Sequence, residues 1–569
     1  MAVTTGYSSK VEDSTTVSSP TSFQSSSLSK DPTMDRDSSP PGRREWRFYA
    51  AFVTLCVCNL VCALDATSLS VALPTIARGI NASAIEAFWC GTSFLLASTV
   101  FQPVYAQFSN AFGRKPMILF ALLLFTVGAI VAALAKNTTT MLVGRTIQGV
   151  GGGGLVALTY VIVTDLVTLR ERGKWFGLIT MQWAIGTVTG PVIGGAFAEK
   201  VTWRWIFWIN LPFCGLAFVM IPLFLRLKSQ NMSMASRIGQ VDWIGCVLFV
   251  ASITSFLIPL SWGGIMYSWS SWHTLVPLLL GVAGMIGFIV YSIYLSPQPL
   301  IPGTIFKSAS AVVNYFGTVI HGTILWSTLY YLPLYYQVAQ GLSPILSGVA
   351  LFPQSFTVAP SAVVVGILVT KTGSYKLSIW VGWALTTFGM GLLVLPTQYT
   401  HTAAWVFINL VSGLGLGILY PSMSFAVQAT ASNKDLPVAA AMFSFFRAFG
   451  QALGVTIGGV VFQNSVRRKL EAYPDLAGRA DEYSKDATSL VEMIKALPPS
   501  QDEQRQQFIQ AYVDALHVVW IVMCALAAVA MIASAWTKSY SLDRALETDQ
   551  GWVDSDERKS DKDSSVGKA

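Results

Sequence analysis

The sequence predicts an all-α polytopic membrane protein of fourteen transmembrane helices, built as two six-helix bundles with an inserted helix pair. Three observations carry this. The chain has 569 residues, of which 53% are hydrophobic and only 12% charged, with a mean hydropathy of +0.54. A soluble domain carries about 25% charged residues, and half that density cannot cover a water-soluble body of this size. Fourteen apolar runs are each long enough to cross a bilayer at about 20 residues per span. Three glycine patterns recur at an offset of 260 to 264 residues. These features exclude a soluble enzyme and a disordered chain. Seven cysteines, all inside apolar runs, are too sparse for a secreted disulfide scaffold.

Residues 1–47 are polar, rich in Ser, Thr and Pro, and predict a disordered tail with no signal peptide. The first bundle, residues 48–227, takes its helices from runs at 48–75, 87–107, 116–135, 139–166, 176–198 and 205–226. The first run holds one acid, Asp65. The second and third meet at the basic turn Gly113-Arg114-Lys115. The fourth carries Arg145 and the glycines from Gly149 to Gly154, and the fifth a Gly-Pro pattern. The sixth is entered through Trp203, Trp205 and Trp208, in interfacial positions. An inserted pair, 242–262 and 274–295 within 228–308, is joined by a tryptophan-rich loop. The second bundle, 309–536, uses 310–336, 345–370, 377–396, 403–427, 437–462 and 511–536, with a longer outer loop of mixed charge at 463–510. Residues 537–569 form a charged tail.

Charge sets the expected orientation. Arg114, Lys115, Arg170, Arg172, Lys174, Arg226, Lys228, Arg237, Lys307, Lys371, Lys376 and Lys434 gather in one set of short loops. Arg78, Lys136, Lys200 and Arg204 fall in the other. The positive-inside rule then places both termini in the cytosol. The net charge of +7 is a topology signal rather than a nucleic-acid footprint. Asn81-Ala-Ser83 and Asn137-Thr-Thr139 are glycosylation sequons in outer loops.

The repeated patterns define two parallel copies of one unit. Gly113 pairs with Gly373, Gly149-x-Gly151 with Gly413-x-Gly415, and Gly186-x3-Gly190-Pro191-x2-Gly194-Gly195 with Gly450-x3-Gly454-x3-Gly458-Gly459. Duplicated halves with a site at their interface are a transporter architecture. Glycine at every fourth position gives a small face on which helices approach closely, and the fifth span is expected to act as hinge or gate.

Asp65 is the acid that invites a functional reading, because a carboxylate inside a span must face a cavity or a partner. Burial and a nearby cation act on it in opposite senses, the balance a proton carrier needs. Arg145 is the candidate cation, at a compatible depth. The second half has no corresponding acid, and Asn409 aligns with Arg145. Arg447 is a second buried cation, able to hold an anionic substrate group or to cap helix carbonyls. Arg447, His321, Gln148, Tyr330 and Tyr331 are the candidates for contact with substrate. No phosphate-cradling Gly-Lys-Ser or Gly-Lys-Thr occurs, so an ion gradient is the expected driver. Cys56 and Cys58 point to nearly opposite sides of one helix, and Cys56, Cys58 and Cys62 are read as packing rather than metal ligands.

At these residues the chain resembles the major facilitator superfamily, specifically its fourteen-helix drug:proton antiporters, over about residues 45–536. Leu64-Asp65-x-Thr67 with Ala72-Leu73-Pro74 is similar to the family's first-helix motif, whose acid is its protonation site. Arg145-x2-Gln148-Gly149 resembles the fourth-helix motif, whose arginine is linked to proton transfer. Gly177-x8-Gly186-x3-Gly190-Pro191-x2-Gly194-Gly195 matches the antiporter motif at every fixed position. Where the family's loop after the second helix carries Gly and Asp, this chain has Ala106 and Asn110, although Gly113, Arg114 and Lys115 remain. The resemblance implies a monomer in the lipid bilayer that exchanges protons for a small hydrophobic substrate, with no enzyme activity, cofactor or metal. The tails and long outer loop resemble fungal plasma-membrane exporters of toxins, secondary metabolites or fungicides. Alternatives are uptake or vacuolar transport of a siderophore or amino acid, and a non-transporting sensor.

Overall fold

Apolar side chains on every face of a run leave the backbone no partner but itself, so each run closes its own hydrogen bonds as a helix. A computed structural model describes residues 45–82, 84–228, 232–264, 266–484, 487–548 and 550–552. The rest of the expected tails, 1–44 and 553–569, and Ser83 of the first sequon lie outside the described residues. Among the described residues there are no strands, and fourteen helices have 15 residues or more.

In chain order these are α1 (Trp46–Ile80), α2 (Ala84–Phe112), α3 (Arg114–Ala133), α4 (Thr138–Leu166), α5 (Arg172–Lys200) and α6 (Asn210–Phe224). The inserted pair is α7 (Trp243–Trp262) and α8 (Trp272–Tyr294). The second set is α9 (Ala309–Val338), α10 (Phe352–Thr372), α11 (Lys376–Leu392), α12 (Thr402–Thr430), α13 (Leu436–Leu470) and α14 (Asp502–Ala533). Eleven candidate spans are long and apolar enough to cross a membrane by length and composition. The helices outside that set are α2, α9 and α11. Of these, α11 has 17 residues. In α9 the polar Asn314, Thr318, His321, Ser327 and Thr328 dilute the hydropathy, and all five are buried against neighbouring helices.

The repeated glycines make the same contacts in both halves. A Cβ at Gly149 would lie 2.5 Å from the Phe94 carbonyl of α2, and one at Gly151 2.3 Å from the Phe125 amide of α3. Their counterparts Gly413 and Gly415 meet the Gln354 carbonyl of α10 and the Thr386 amide of α11, at 2.4 and 2.5 Å. Residues two apart lie on opposite sides of a helix, so α4 and α12 each wedge between two neighbours at backbone contact. Gly113 and Gly373 begin the equivalent turns before α3 and α11 with φ of 95° and 69°, a left-handed region that favours glycine. Gly186, Gly190 and Gly194 seat α5 on Ala63, Thr67 and Ser68 of α1. Gly450, Gly454 and Gly458 seat α13 on Val319, Thr323 and Tyr331 of α9. In the inserted pair, α7 and α8 pack on each other, with Gly281 and Gly284 against Phe256 and Ser252.

Hydrogen bonds between the halves cluster at the end where α1 begins and α14 finishes. Arg170 donates to the Thr370 and Lys371 carbonyls at 2.8 and 3.1 Å, and Arg172 to Gln428 at 2.9 Å. The Tyr160 and Tyr420 hydroxyls bond across the interface, and Gly173 meets Gly366 backbone to backbone. This end is closed.

Residues 537–548 and 550–552, expected as free tail, instead run as a strap across that closed end. Polar side chains find partners along the way. Arg544 donates to the Ala429 and Ala431 carbonyls at the end of α12, and Thr548 to Asp165 at the end of α4, at 2.7 Å. Gln550 accepts from the Arg114 amide at 3.1 Å. Trp552 packs edge-on against Phe48 of α1, with ring centroids 5.6 Å apart. Buried Leu542 and these bonds hold a segment whose composition alone reads as solvated.

Candidate functional site

Asp65 and Arg145 meet as expected. Asp65 sits in the middle of α1 and Arg145 two turns into α4, and Arg145 NH1 lies 2.6 Å from Asp65 Oδ2 with both side chains about 1% exposed. The carboxylate's other oxygen accepts from Gln148 Nε2 at 2.8 Å and from Asn210 Nδ2 at 2.9 Å. The guanidinium is equally occupied. Its NH1 also donates to Gln148 Oε1 at 2.8 Å, its Nε donates to the Cys90 carbonyl at 3.0 Å, and its plane lies 4.5 Å over the Phe94 ring. A buried ion pair persists when hydrogen bonds satisfy its remaining donors and acceptors, and here four helices, α1, α2, α4 and α6, supply them.

Gln148, expected to face substrate, is fully buried in this network instead. It lies three residues from Arg145, on the same helical face, so it serves the same carboxylate. Asn210 was not singled out as a partner. The available signal was an amide in the first turn of an otherwise apolar run, in the Asn210-Leu211-Pro212 sequence.

The basic turn before α3 is organised by a second acid that sequence reasoning passed over. Arg114 Nε donates to Asp165 Oδ2 at 2.8 Å, and NH1 to Ser109 and Asn110 at 2.7 and 2.5 Å. Asp165 ends α4 and is 1% exposed. It supplies a charge partner although the loop itself lacks one. Lys115 is half-buried and donates to the Pro222 carbonyl at 3.0 Å.

Of the gate and hinge candidates, Gly113, Arg114 and Lys115 form that turn, and Gly186, Gly190, Pro191, Gly194 and Gly195 lie on α5. Gly186, Gly190, Gly194 and Gly195 are buried, the first three against α1, and Pro191 sits inside the helix without an N–H for the Thr187 carbonyl. Thr67 of α1 donates to the Gly186 carbonyl at 2.9 Å. Thus α1 presents Asp65 to α4 and, two residues later, Thr67 to α5.

A cavity of about 40 Å³ lies between the halves, lined by α1, α2, α4, α5 and α13. Arg447 lines it, with its guanidinium 4.6 Å over the Tyr420 ring. His321 is buried behind it, with Nε2 3.0 Å from the Leu416 carbonyl. The two tyrosines offered as cavity candidates lie elsewhere. Tyr331 packs into the α9–α13 seam, where Gly458 makes room for its ring and its hydroxyl donates to Val455 at 2.9 Å. Tyr330 packs edge-on to Tyr331. Asn409, aligned with Arg145, donates to the Tyr336 hydroxyl at 2.6 Å and forms no ion pair. Asn81 and Asn137 are both exposed at the end opposite the strap, and Asn137 caps α4 by accepting from the Thr140 amide.

Comparison with known proteins agrees with this architecture. The family profile described as Major Facilitator Superfamily matches residues 55–455. "MFS transporter L2" of Phoma sp. is 55% identical over 89% of this chain and 84% of its own length. "MFS-type efflux pump LUC4" of Fusarium sp. is 34% identical over 97% and 98%. The "Acurin A biosynthesis cluster MFS-type transporter" of Aspergillus aculeatus is 35% identical over 91% and 94%. Among solved structures, the proton:xylose symporter XylE superposes with a TM-score of 0.52 at 12% identity, covering 85% of this chain and 95% of its own, a likeness of fold. With the glycine scaffold, the buried Asp65–Arg145 pair and these matches together, the chain belongs to the major facilitator superfamily.

Proposed function

We propose that the protein exports small hydrophobic compounds, such as fungal secondary metabolites, in exchange for protons. The observation that carries this is the buried Asp65 carboxylate, held by three donors from Arg145, Gln148 and Asn210. Protonation removes the charge that these donors answer, leaving Arg145 to Gln148 and the Cys90 carbonyl. The same helix carries the Ala63–Ser68 surface on which α5 rides, and the far end of α5 closes against α10 at Gly173 and Gly366. A change at Asp65 therefore has a packed route through α1 and α5 to the closed gate. Relatives named as an efflux pump and as a biosynthesis-cluster transporter support export.

In this reading both termini and the strap face the cytosol of a plasma-membrane protein, and Asn81 and Asn137 face outside, where either sequon is open to glycosylation. The test is energised efflux of a fluorescent hydrophobic dye from pump-deficient yeast expressing wild type or Asp65→Asn at matched surface levels. Wild type alone should expel dye, and a protonophore should stop it. Equal efflux by both would remove Asp65 from the coupling, and protonophore-resistant efflux would remove protons.

A further inference from the structure

The chain's buried arginines are not alike. Arg114, Arg145 and Arg172 are each about 1–4% exposed, and each guanidinium is matched. Arg114 has Asp165, Ser109 and Asn110. Arg145 has Asp65, Gln148 and the Cys90 carbonyl. Arg172 has Gln428 and the Thr164 and Val167 carbonyls. Arg447 is half-buried on the cavity wall, and its guanidinium meets no carboxylate or hydrogen-bond acceptor among the described residues. Its Nε is buried and unpaired, and its neighbour is the π face of Tyr420. A cation–π contact is worth about 0.5–2 kcal/mol, and it supplies no acceptor for the buried Nε–H.

A second donor is unmatched in the same place. Trp183 of α5 lines the cavity from the other half, and its indole Nε1 is buried without an acceptor. These two donors, one carrying full charge, line a space shared by the apolar Phe94, Leu95 and Val156 and by polar side chains, among them Gln102, whose Oε1 is also buried without a partner. Around that space the protein places its own acids elsewhere, Asp65 in its network and Asp165 on Arg114.

Resting on the export reading above, we propose that Arg447 and Trp183 form an anion-binding site for the transported compound, so that the substrates are apolar molecules bearing one acidic group, a carboxylate or an acidic enol. The acid pairs with the Arg447 guanidinium and accepts from the Trp183 N–H, while the apolar body lies against Phe94, Leu95 and Val156. Because α5 and α13 belong to different halves, the bound anion bridges the two bundles. The cavity enlarges for it when the halves part, since the closed conformation holds only about 40 Å³.

The test uses the full chain in lipid nanodiscs, titrated with 1-pyrenebutyrate and with its uncharged amide. Energy transfer from tryptophan to pyrene reports binding, and empty nanodiscs provide the partition baseline. Wild type should bind the carboxylate at least about tenfold more tightly than the amide. Arg447→Gln should bring that ratio near one while keeping affinity for the amide. Trp183→Phe keeps ring and cavity shape, and should lower the ratio about threefold for one lost donor. Equal binding of the two probes by wild type, no binding of pyrenebutyrate, or a preference that survives Arg447→Gln would overturn the site. If Arg447→Gln does not fold, an unchanged ratio in Trp183→Phe overturns the pairing. Asp65→Asn should lose proton-driven export yet keep the binding preference. Failure of export in wild type with the preference intact strikes the export reading, and the reverse strikes this site.

Discussion

Gly366→Ala tests whether the closed end is a gate. A Cβ at Gly366 would lie 2.4 Å from the Gly173 carbonyl oxygen, and one at Gly173 2.5 Å from the Phe425 ring. The obstacle at Gly366 is backbone, so α5 and α10 must separate rather than a side chain rotate. Overpacking of this kind costs about 1–3 kcal/mol. The helix-propensity gain from alanine, up to about 1 kcal/mol, is the same whether the gate is open or closed and cancels. The penalty falls on the closed conformation alone and should raise the open-to-closed ratio about 5- to 150-fold. Hydrogen exchange read by mass spectrometry in nanodiscs measures this directly, because amide exchange scales with the opening equilibrium. Peptides covering 169–177 and 362–373 should speed up by that factor, and peptides at the opposite end should not. Gly348→Ala, where a Cβ meets nothing within 4 Å, is the control and should leave exchange unchanged. Unchanged exchange in Gly366→Ala would mean that the approach is not a gate contact. An even rise over the whole molecule would mean that it supports folding rather than opening.

Other expectations follow from the same geometry. Arg145→Lys cannot serve Asp65, Gln148 and the Cys90 carbonyl at once, so it should lose about 1.5–3 kcal/mol of the network and reduce proton-driven dye efflux at least about tenfold at matched surface expression. In a melting cycle with Asp65→Asn and Arg145→Gln the two losses should be non-additive by more than about 1 kcal/mol, and additivity would deny that the pair acts as a unit. Asp165→Asn leaves Arg114 buried without its charge partner and should destabilise by about 3–5 kcal/mol, seen as a lower melting temperature in detergent. Truncation after Ser541 removes the Arg544, Thr548 and Gln550 bonds, and should raise exchange in 109–114 and 429–434 while sparing the opposite end.

The scaffold was legible in the sequence because it is written in residue size and spacing. Gly149-x-Gly151 and Gly413-x-Gly415 could be aligned before any helix was placed, and each proves to make the equivalent close approach. The Asp65–Arg145 pair was legible because an ion inside an apolar run needs a partner and few existed. Partners that carry no charge were not legible. Asn210 is one amide among many, and nothing local ties it to a carboxylate 145 residues away. Gln148 and Tyr331 were assigned to a cavity because polarity and aromaticity show that a side chain has something to contact without showing which helix supplies it. Asp165 was missed because it closes α4 at a boundary where an acid is unremarked, and its importance comes from the turn of α2 into α3 folding back upon it. The strap was read as tail because its composition is polar; its order comes from carbonyls and amides left open at helix ends, which composition does not display.

The two halves share a glycine frame yet divide the polar work, and the division bears on how the proposed exchange would be organised. Where the first half has the Asp65–Arg145 pair, the second has Asn409 on the Tyr336 hydroxyl, a neutral bond with no proton-dependent charge to lose. Where the second half has Arg447, the first has Trp183 at the offset of 264 residues that relates the glycines. The charge in the Asp65–Arg145 pair that a proton can cancel is Asp65 on α1, and Arg447 on α13 carries a charge that a proton cannot cancel. A protonatable acid inside the cavity would pair with Arg447 and silence it. Held by its own network behind Phe94, whose ring covers Arg145 on one side and borders the cavity on the other, Asp65 leaves Arg447 unpaired. Proton and substrate then need not compete for one group. In the proposed exchange their coupling would pass through helix movement, since α5 touches α1 at its glycines, the cavity at Trp183 and the closed end at Gly173.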